Sequence, residues 1–386
     1  MENQRLRLLP DCGGLIETIA LSIPAAFFER DEADVGLRPL LPIGNLLSAL
    51  PHDVVVYILV DQMAFVMAQN WVSVLPIGCT IKLVSVENTQ GAIDSVWIQD
   101  AIHVAGGVGD ADVETEILCK PDSVIGRSVT RYAKFPSSFS DQCLPGGNQL
   151  VGADFRLIGY ASLEVRRSKG AVAIDETTRL RDKIKALDDR EIRIFGYNGR
   201  TDVTVGRLLS AGGFALVASE LMHQCGFHLD QFVSLTGIDI DERPLLLVAK
   251  PVIFNGAETR MTSNLKMQLD ASVACLEQQG FHVVRNPMPL AITPDTGKRM
   301  PRLYNNIILE NDTRMDRTKP FVWIPHFGDQ EPLADFDEEN RAIWSGLGFD
   351  PVPVPGWSSL ASRNGAIRCA TKILRRRSSQ PPSLQK

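Results

Sequence analysis

The chain has 386 residues, of which 44% are hydrophobic and 22% charged, enough apolar content to fill a sizeable core. A formal charge of −6 and an isoelectric point near 5.6 argue against a nucleic-acid or membrane-surface role, either of which favours a basic face. Seven widely spaced Cys (12, 79, 119, 143, 225, 275 and 369) without a Cys-x-x-Cys pair argue against a disulfide framework and a zinc site, and fit a reducing, cytoplasmic compartment.

The N-terminal stretch Gly13 to Phe28 is apolar, but Glu17 interrupts it and no basic leader precedes it, so a secretory signal is not expected. No apolar run reaches the roughly 20 residues of a membrane helix. Val54 to Val60 reads as a strand buried on both faces, and Ile81 to Val86 as a second strand. Trp97-Ile98-Gln99-Asp100 follows a strand and a turn. An Asp there is a common turn former, yet the neighbouring Trp offers a face on which a guanidinium can stack. Gly146-Gly147-Asn148 is by itself an ordinary turn signature.

His228-Leu229-Asp230 is expected on a strand, where alternation puts His228 and Asp230 on one face and Leu229 on the other. A hydrogen-bonded structural His is the competing reading. Leu245 to Ala249 and Asn306 to Leu309 read as further strands. Leu265 to Gln279 is patterned as an amphipathic helix stopped by Gly280, and Glu338 to Trp344 as another. Each helix leaves through Gly-Phe, at Gly280-Phe281 and Gly348-Phe349, into a short strand, as an array of similar α/β modules would. Asn364 to Thr371 reads as a Gly turn feeding a short strand that ends on Cys369. Residues 1–375 are expected to form a single domain, and residues 376–386, rich in Arg, Ser, Gln and Pro, a disordered tail.

A Cys, a His and two Asp are a coherent chemical set. A guanidinium is planar, cationic and rich in N–H donors, which carboxylates match in fork geometry. Its central carbon is a poor electrophile and needs a thiolate, and the departing ammonia needs a proton that a His can supply. Taken in order, the motifs resemble the guanidino-group-modifying, or pentein, superfamily, and most of all the catalytic domain of protein-arginine deiminases. The resemblance is carried by Trp97 to Asp100, by Gly147-Asn148, by His228, Asp230 and Phe232, and by Arg363 to Thr371.

The resemblance implies a five-bladed α/β propeller of ββαβ modules, with Cys369 as nucleophile and His228 as acid/base. It implies that Asp100 and Asp230 grip the guanidinium, that Trp97 and Asn148 line the substrate slot, and that Arg363 contacts the substrate backbone. The implied reaction is deimination through a covalent thiouronium on Cys369, releasing ammonia and a ureido product. The partner expected is a small guanidine, with peptidyl arginine as an option and a homodimer as a compatible assembly. Amidino transfer to an amine, or an inactive guanidinium-binding protein, are the alternatives.

Two departures stand out. Arg368 replaces the family's His before the nucleophile, where a cation either favours the thiolate or faces solvent. His103 and Leu150 stand where calcium-binding carboxylates are expected, so neither calcium nor another cofactor is expected. The Trp-x-Arg-Asp-x-Gly-Pro segment of agmatine deiminases is absent.

Overall fold

A computed structural model describes residues 7–33, 38–87, 93–106, 115–140, 144–162, 182, 184–185, 187–196, 224, 228–293, 297–328, 332–361 and 363–378. Its first sheet holds the parallel strands β1 (Leu15–Ile23), β2 (Val55–Asp61) and β3 (Thr80–Val86), with helices α1 (Ala25–Ala33), α2 (Leu40–Ala49) and α3 (Phe65–Ser73) between them. The second has β4 (Ile102–Ala105), β5 (Glu116–Cys119), helix α4 (Val124–Ala133) and β6 (Ser137–Phe139). The third has β7 (Gln149–Val151), β8 (Phe155–Gly159) and β9 (Glu191–Phe195). The fourth has β10 (Val233–Ile240), β11 (Arg243–Ile253), helix α5 (Arg260–Gln278), β12 (His282–Ile292) and the added β13 (Arg299–Pro301). The fifth has β14 (Ile308–Leu309), β15 (Phe321–Pro325), helix α6 (Ala334–Gly346) and β16 (Asp350–Val354). Short helices α7 (Ser358–Ala361) and α8 (Ile367–Ala370) lead to β17 (Lys372–Arg377).

One pairing rule recurs. In the second to fifth sheets the first strand runs antiparallel to the second, and the second runs parallel to the third. A hairpin joins antiparallel neighbours, whereas parallel neighbours need a crossover, which α4, α5 and α6 supply. The first sheet obeys the same rule once β17 returns to it. β17 pairs antiparallel with β1, from Leu15 opposite Arg377 to Ala20 opposite Lys372. The result, among the described residues, is a mixed α/β fold of five small sheets, none closed on itself.

The strand expected at Val54 to Val60 is β2, central in its sheet, with Val56, Ile58, Leu59 and Val60 buried. The helix expected from Leu265 is α5, which buries Leu269 and Leu276. Both Gly-Phe exits are built alike. Gly280 (φ +85°) and Gly348 (φ +91°) take the left-handed conformation that a Cβ disfavours by about 1–2 kcal/mol. Phe281 N then donates to Leu276 O, and Phe349 N to Trp344 O, closing each helix end and driving a buried Phe into the core.

The expectation for the tail is corrected in part. Arg376 and Arg377 belong to β17, and Arg376 is buried, donating to the carbonyls of Gly13, Leu309 and Asp11. An Arg-rich run reads as solvated until a second strand supplies acceptors for it. Residues 379–386 lie outside the described residues. Among the described residues no helix is long and apolar enough to cross a membrane.

Candidate active site

Every sheet delivers a short turn or helix just before its opening strand. Trp97 to Asp100 precedes β4, Gly146–Asn148 precedes β7, His228 to Gln231 precedes β10, Asn306 precedes β14, and α8 with Cys369 precedes β17. These five segments meet. Because β17 is the last strand and pairs with the first sheet, the chain's end is carried to the same place as its start.

Two local expectations are corrected. His228 and Asp230 do not share a strand face. His228 caps a single 3-10 turn, Leu229–Gln231, and β10 begins only at Val233. Long-range bonds override the local pattern: Asn148 Oδ1 accepts from Leu229 N at 3.1 Å, and Gln231 Nε2 donates to Asn364 O at 2.8 Å. Cys369 likewise sits in α8 rather than at a strand end. Its backbone N–H and that of Ala366 both donate to Asn306 Oδ1, at 3.0 and 3.2 Å, which winds the segment.

The sequence-derived chemical residues come together. Cys369 Sγ lies 3.5 Å from Asp230 Oδ2, and His228 Nδ1 lies 3.6 Å from Asp100 Oδ2. The site deepens from Asp100, whose side chain is 35% exposed, through His228 at 8%, to Asp230 at 0%. Gly147 N donates to Asp100 Oδ1 at 2.8 Å and so aims that carboxylate. Gly365 lies flat against the Trp97 indole, where a Cβ would come within 2.5 Å of the ring. Burial pushes the Cys369 thiol well above its ordinary range; Asp230 and Asp100 push the same way, while the Asn306 amide and Arg368 pull back. Burial also raises the Asp230 carboxyl, against the pull of Arg368 and His228.

Other expected residues fall differently. Asn148 is buried and its side chain is spent internally, on Ser162 Oγ at 2.7 Å, Gln224 and Leu229 N. It positions the His228 turn instead of lining a slot. Arg363 is exposed, its guanidinium 5.0 Å over the Phe27 ring of α1. Arg368 does not face solvent: it is buried and bonded to Asp230 and Asp11. His103 is buried with Nε2 2.6 Å from Leu144 O, and burial lowers its pKa to about 3. His326 pairs with Asp337, outside this constellation. Among the described residues no group of three or more His, Cys, Asp or Glu is placed to hold a metal ion.

Sequence reasoning missed Asn306. Its Nδ2 donates to Cys369 Sγ and to the backbone carbonyl of Asp230, both at 3.1 Å, so one amide ties the Cys369 thiol to the Asp230 main chain. The signal available was the module repeat, since Asn306 occupies in the fifth sheet the place the other motifs occupy in theirs.

Gly147 provides a sharp test of this geometry. A Cβ there would fall 2.4 Å from His228 Nδ1 and 3.2 Å from Asp230 Oδ1. Gly147→Ala should therefore displace the imidazole and cut kcat/KM by about 100-fold, the scale set by misplacing a catalytic group by 1 Å. Kinetics within twofold of wild type would show that the ring is not constrained there.

No protein-family model matches the chain, and no curated protein matches it in sequence. Solved structures do. An agmatine deiminase from C. jejuni superposes with a TM-score of 0.63 at 12% identity, covering 98% of this chain and 99% of that one. An agmatine deiminase from Enterococcus faecalis gives 0.62 at 13%, covering 96% of both chains. A candidate peptidyl-arginine deiminase gives 0.60 at 15%, covering 96% and 99%. The chain has the fold of these deiminases. At such identity the likeness speaks for the architecture, and the chemistry rests on this chain's own residues.

Proposed function

We infer that the chain is a deiminase that hydrolyses a guanidine to a ureido product and ammonia. In this reading the five sheets stand as blades around the site. One observation carries it: the thiol of Cys369 sits 3.5 Å from a fully buried carboxylate, Asp230, with the His228 and Asp100 pair beside it. Three Asp line the site or its base (Asp11, Asp100 and Asp230) against one buried cation, Arg368, an excess of negative charge that favours a cationic ligand.

The substrate guanidinium donates to Asp100 and Asp230 while the indole of Trp97 flanks its stem. Arrival of that cation offsets the two carboxylates that disfavour the thiolate, so Cys369 passes its proton to His228 when substrate is present. The thiolate adds to the guanidinium carbon. His228 gives a proton to the departing nitrogen, ammonia leaves, and a thiouronium remains on Cys369. Water then adds with His228 taking its proton, the C–S bond breaks, and the ureido product and the thiol are released. Asn306 Nδ2, donating to Sγ, stabilises the sulfur when it carries charge. A reducing, cytoplasmic setting suits a catalytic thiol. Calcium independence is part of the proposal, because His103, spent on Leu144 O, and the aliphatic Leu150 offer no carboxylate oxygens to a hard cation.

The thiol chemistry has a direct test. A cationic haloacetamidine should label Cys369 at neutral pH, whereas neutral iodoacetamide should react there only as pH rises above the ordinary thiol range. Equal labelling by the two reagents across pH would contradict a cation-assisted thiol.

The substrate class follows from Arg363. In this reading its guanidinium stands at the rim, where it favours a carboxylate or carbonyl at the substrate's far end and repels the ammonium of agmatine. An arginine derivative should outrun agmatine in kcat/KM, and Arg363→Ala should narrow the difference. Agmatine as the best wild-type substrate would remove that role.

A further inference from the structure

The guanidinium of Arg368 is the most heavily engaged group at the base of the site. Nη1 donates to Asp230 Oδ2 at 2.8 Å and to Gly146 O at 3.2 Å. Nη2 donates to Asp11 Oδ1 at 3.0 Å and to Gln149 O at 2.8 Å. Gln99, with its carboxamide oxygen turned to the guanidinium, accepts at 2.8 Å and donates to Thr371 O at 3.1 Å. Asp11 is itself fixed, since its Oδ2 accepts from Val151 N at 2.7 Å. The two Nη atoms are therefore held by five acceptors, while the buried Nε meets none among the described residues, and only one oxygen of Asp230 is consumed by the fork. Among the described residues no donor meets Asp230 Oδ1, although that atom is buried. It lies beside Gly147, where a Cβ would come within 3.2 Å of it.

We propose that Arg368, clamped by Asp11, is a positioning residue that holds Asp230 through Oδ2, favours its ionised form and leaves Oδ1, on the Gly147 side, as that carboxylate's acceptor for a ligand N–H. The proposal rests on the reading of the cleft as a guanidinium site and adds a residue, Asp11, that belongs to no motif. The physical need is plain. Desolvation pushes a carboxylate with no exposure toward its neutral form; burial raises the Asp230 carboxyl, and Arg368 is the strongest group pulling the other way and limiting that rise. Burial opposes the charge on Arg368, and Asp11 and Asp230 together overcome it, holding the guanidinium protonated beyond its usual range. The charged and titratable groups that face this cluster are Asp11, Asp100, Asp230, His228 and Cys369, with His103 and Lys372 lining the same cavity. Arg368 is the cation that bonds Asp230 directly. It occupies Oδ2, so the ligand meets Asp230 through one oxygen instead of through a full fork.

The test is the pH dependence of Cys369 labelling by chloroacetamidine, which needs the cation-holding cleft but no turnover. Arg368→Gln should shift the acid limb of that profile to higher pH by about one unit or more, the size of effect expected from removing an opposite charge at this range. Arg368→Lys should restore part of the shift. If Arg368→Gln does not fold, the Arg368→Lys profile decides, with a smaller shift in the same direction expected relative to wild type. A folded variant with an unmoved limb overturns the proposal, because a merely structural role would lower stability and leave the profile where it was. A shifted limb in a protein that hydrolyses no guanidine would sink the deiminase reading and leave Arg368's role standing.

Discussion

Cys369→Ser is expected to lower kcat by on the order of 10⁴-fold or more while the melting temperature stays within a few degrees of wild type. The substitution is nearly isosteric. The backbone bonds from Ala366 and Cys369 to Asn306 Oδ1 do not involve the sulfur, and Asn306 Nδ2 can donate to a hydroxyl as it does to Sγ. What changes is the nucleophile: a hydroxyl keeps its proton far more tightly than a thiol, and a cationic substrate cannot close that gap. Cys12 and Cys79, whose thiols burial pushes up to about 11, are natural controls. Their Ser variants should turn over normally. Substantial activity in the Cys369 variant, measured as ureido product per enzyme, would remove the nucleophile from the account.

Asp230→Asn should be costly twice over. It removes the charge that faces the buried Arg368, and breaking one side of a buried ion pair typically costs about 3–5 kcal/mol. Asp11 still faces Arg368, so the lower end of that range is expected. It also replaces an acceptor at Oδ1 or Oδ2 with an amide that offers N–H to a ligand already rich in N–H. The loss in kcat/KM should exceed about 100-fold, corresponding to about 3 kcal/mol of transition-state stabilisation. Denaturant unfolding and steady-state kinetics on the same preparation separate the two losses. Unchanged kinetics in a stable Asp230→Asn protein would show that the carboxylate does not touch the reacting group.

The parts legible in the sequence were those with a local signal. The run at Val54 to Val60 could only be a buried strand, and the two Gly-Phe exits announced repeated helix-to-strand modules, which β12 and β16 realise. Cys369, His228, Asp100 and Asp230 were found because their types and order make chemical sense together. The conformations at 228–231 and 367–370 were not legible. Four residues carry no periodicity, and bonds to Asn148, Asn364 and Asn306, remote in sequence, impose the turns. Asn306 and Asp11 were invisible for the same reason, since an Asn before a strand or an Asp near a terminus gains meaning only from what the topology brings to it. Arg368 and Arg376 show how charge misleads. In the sequence Arg376 falls in an expected disordered tail and Arg368 is open to either a thiolate-favouring or a solvent-facing reading, yet each is buried because the return of β17 to the first sheet surrounds it with carbonyl and carboxylate oxygens.

The measurement that bears most directly on the central claim is product analysis on a panel of guanidines, including arginine, an acylated arginine amide and agmatine, with and without an added amine. The account predicts ammonia and ureido product in one-to-one ratio, independent of the amine, and fastest for a guanidine carrying a carboxylate or carbonyl at its far end. Transfer of the amidino group to the amine without release of ammonia, or no consumption of any guanidine by protein whose Cys369 is intact and reactive, would contradict it.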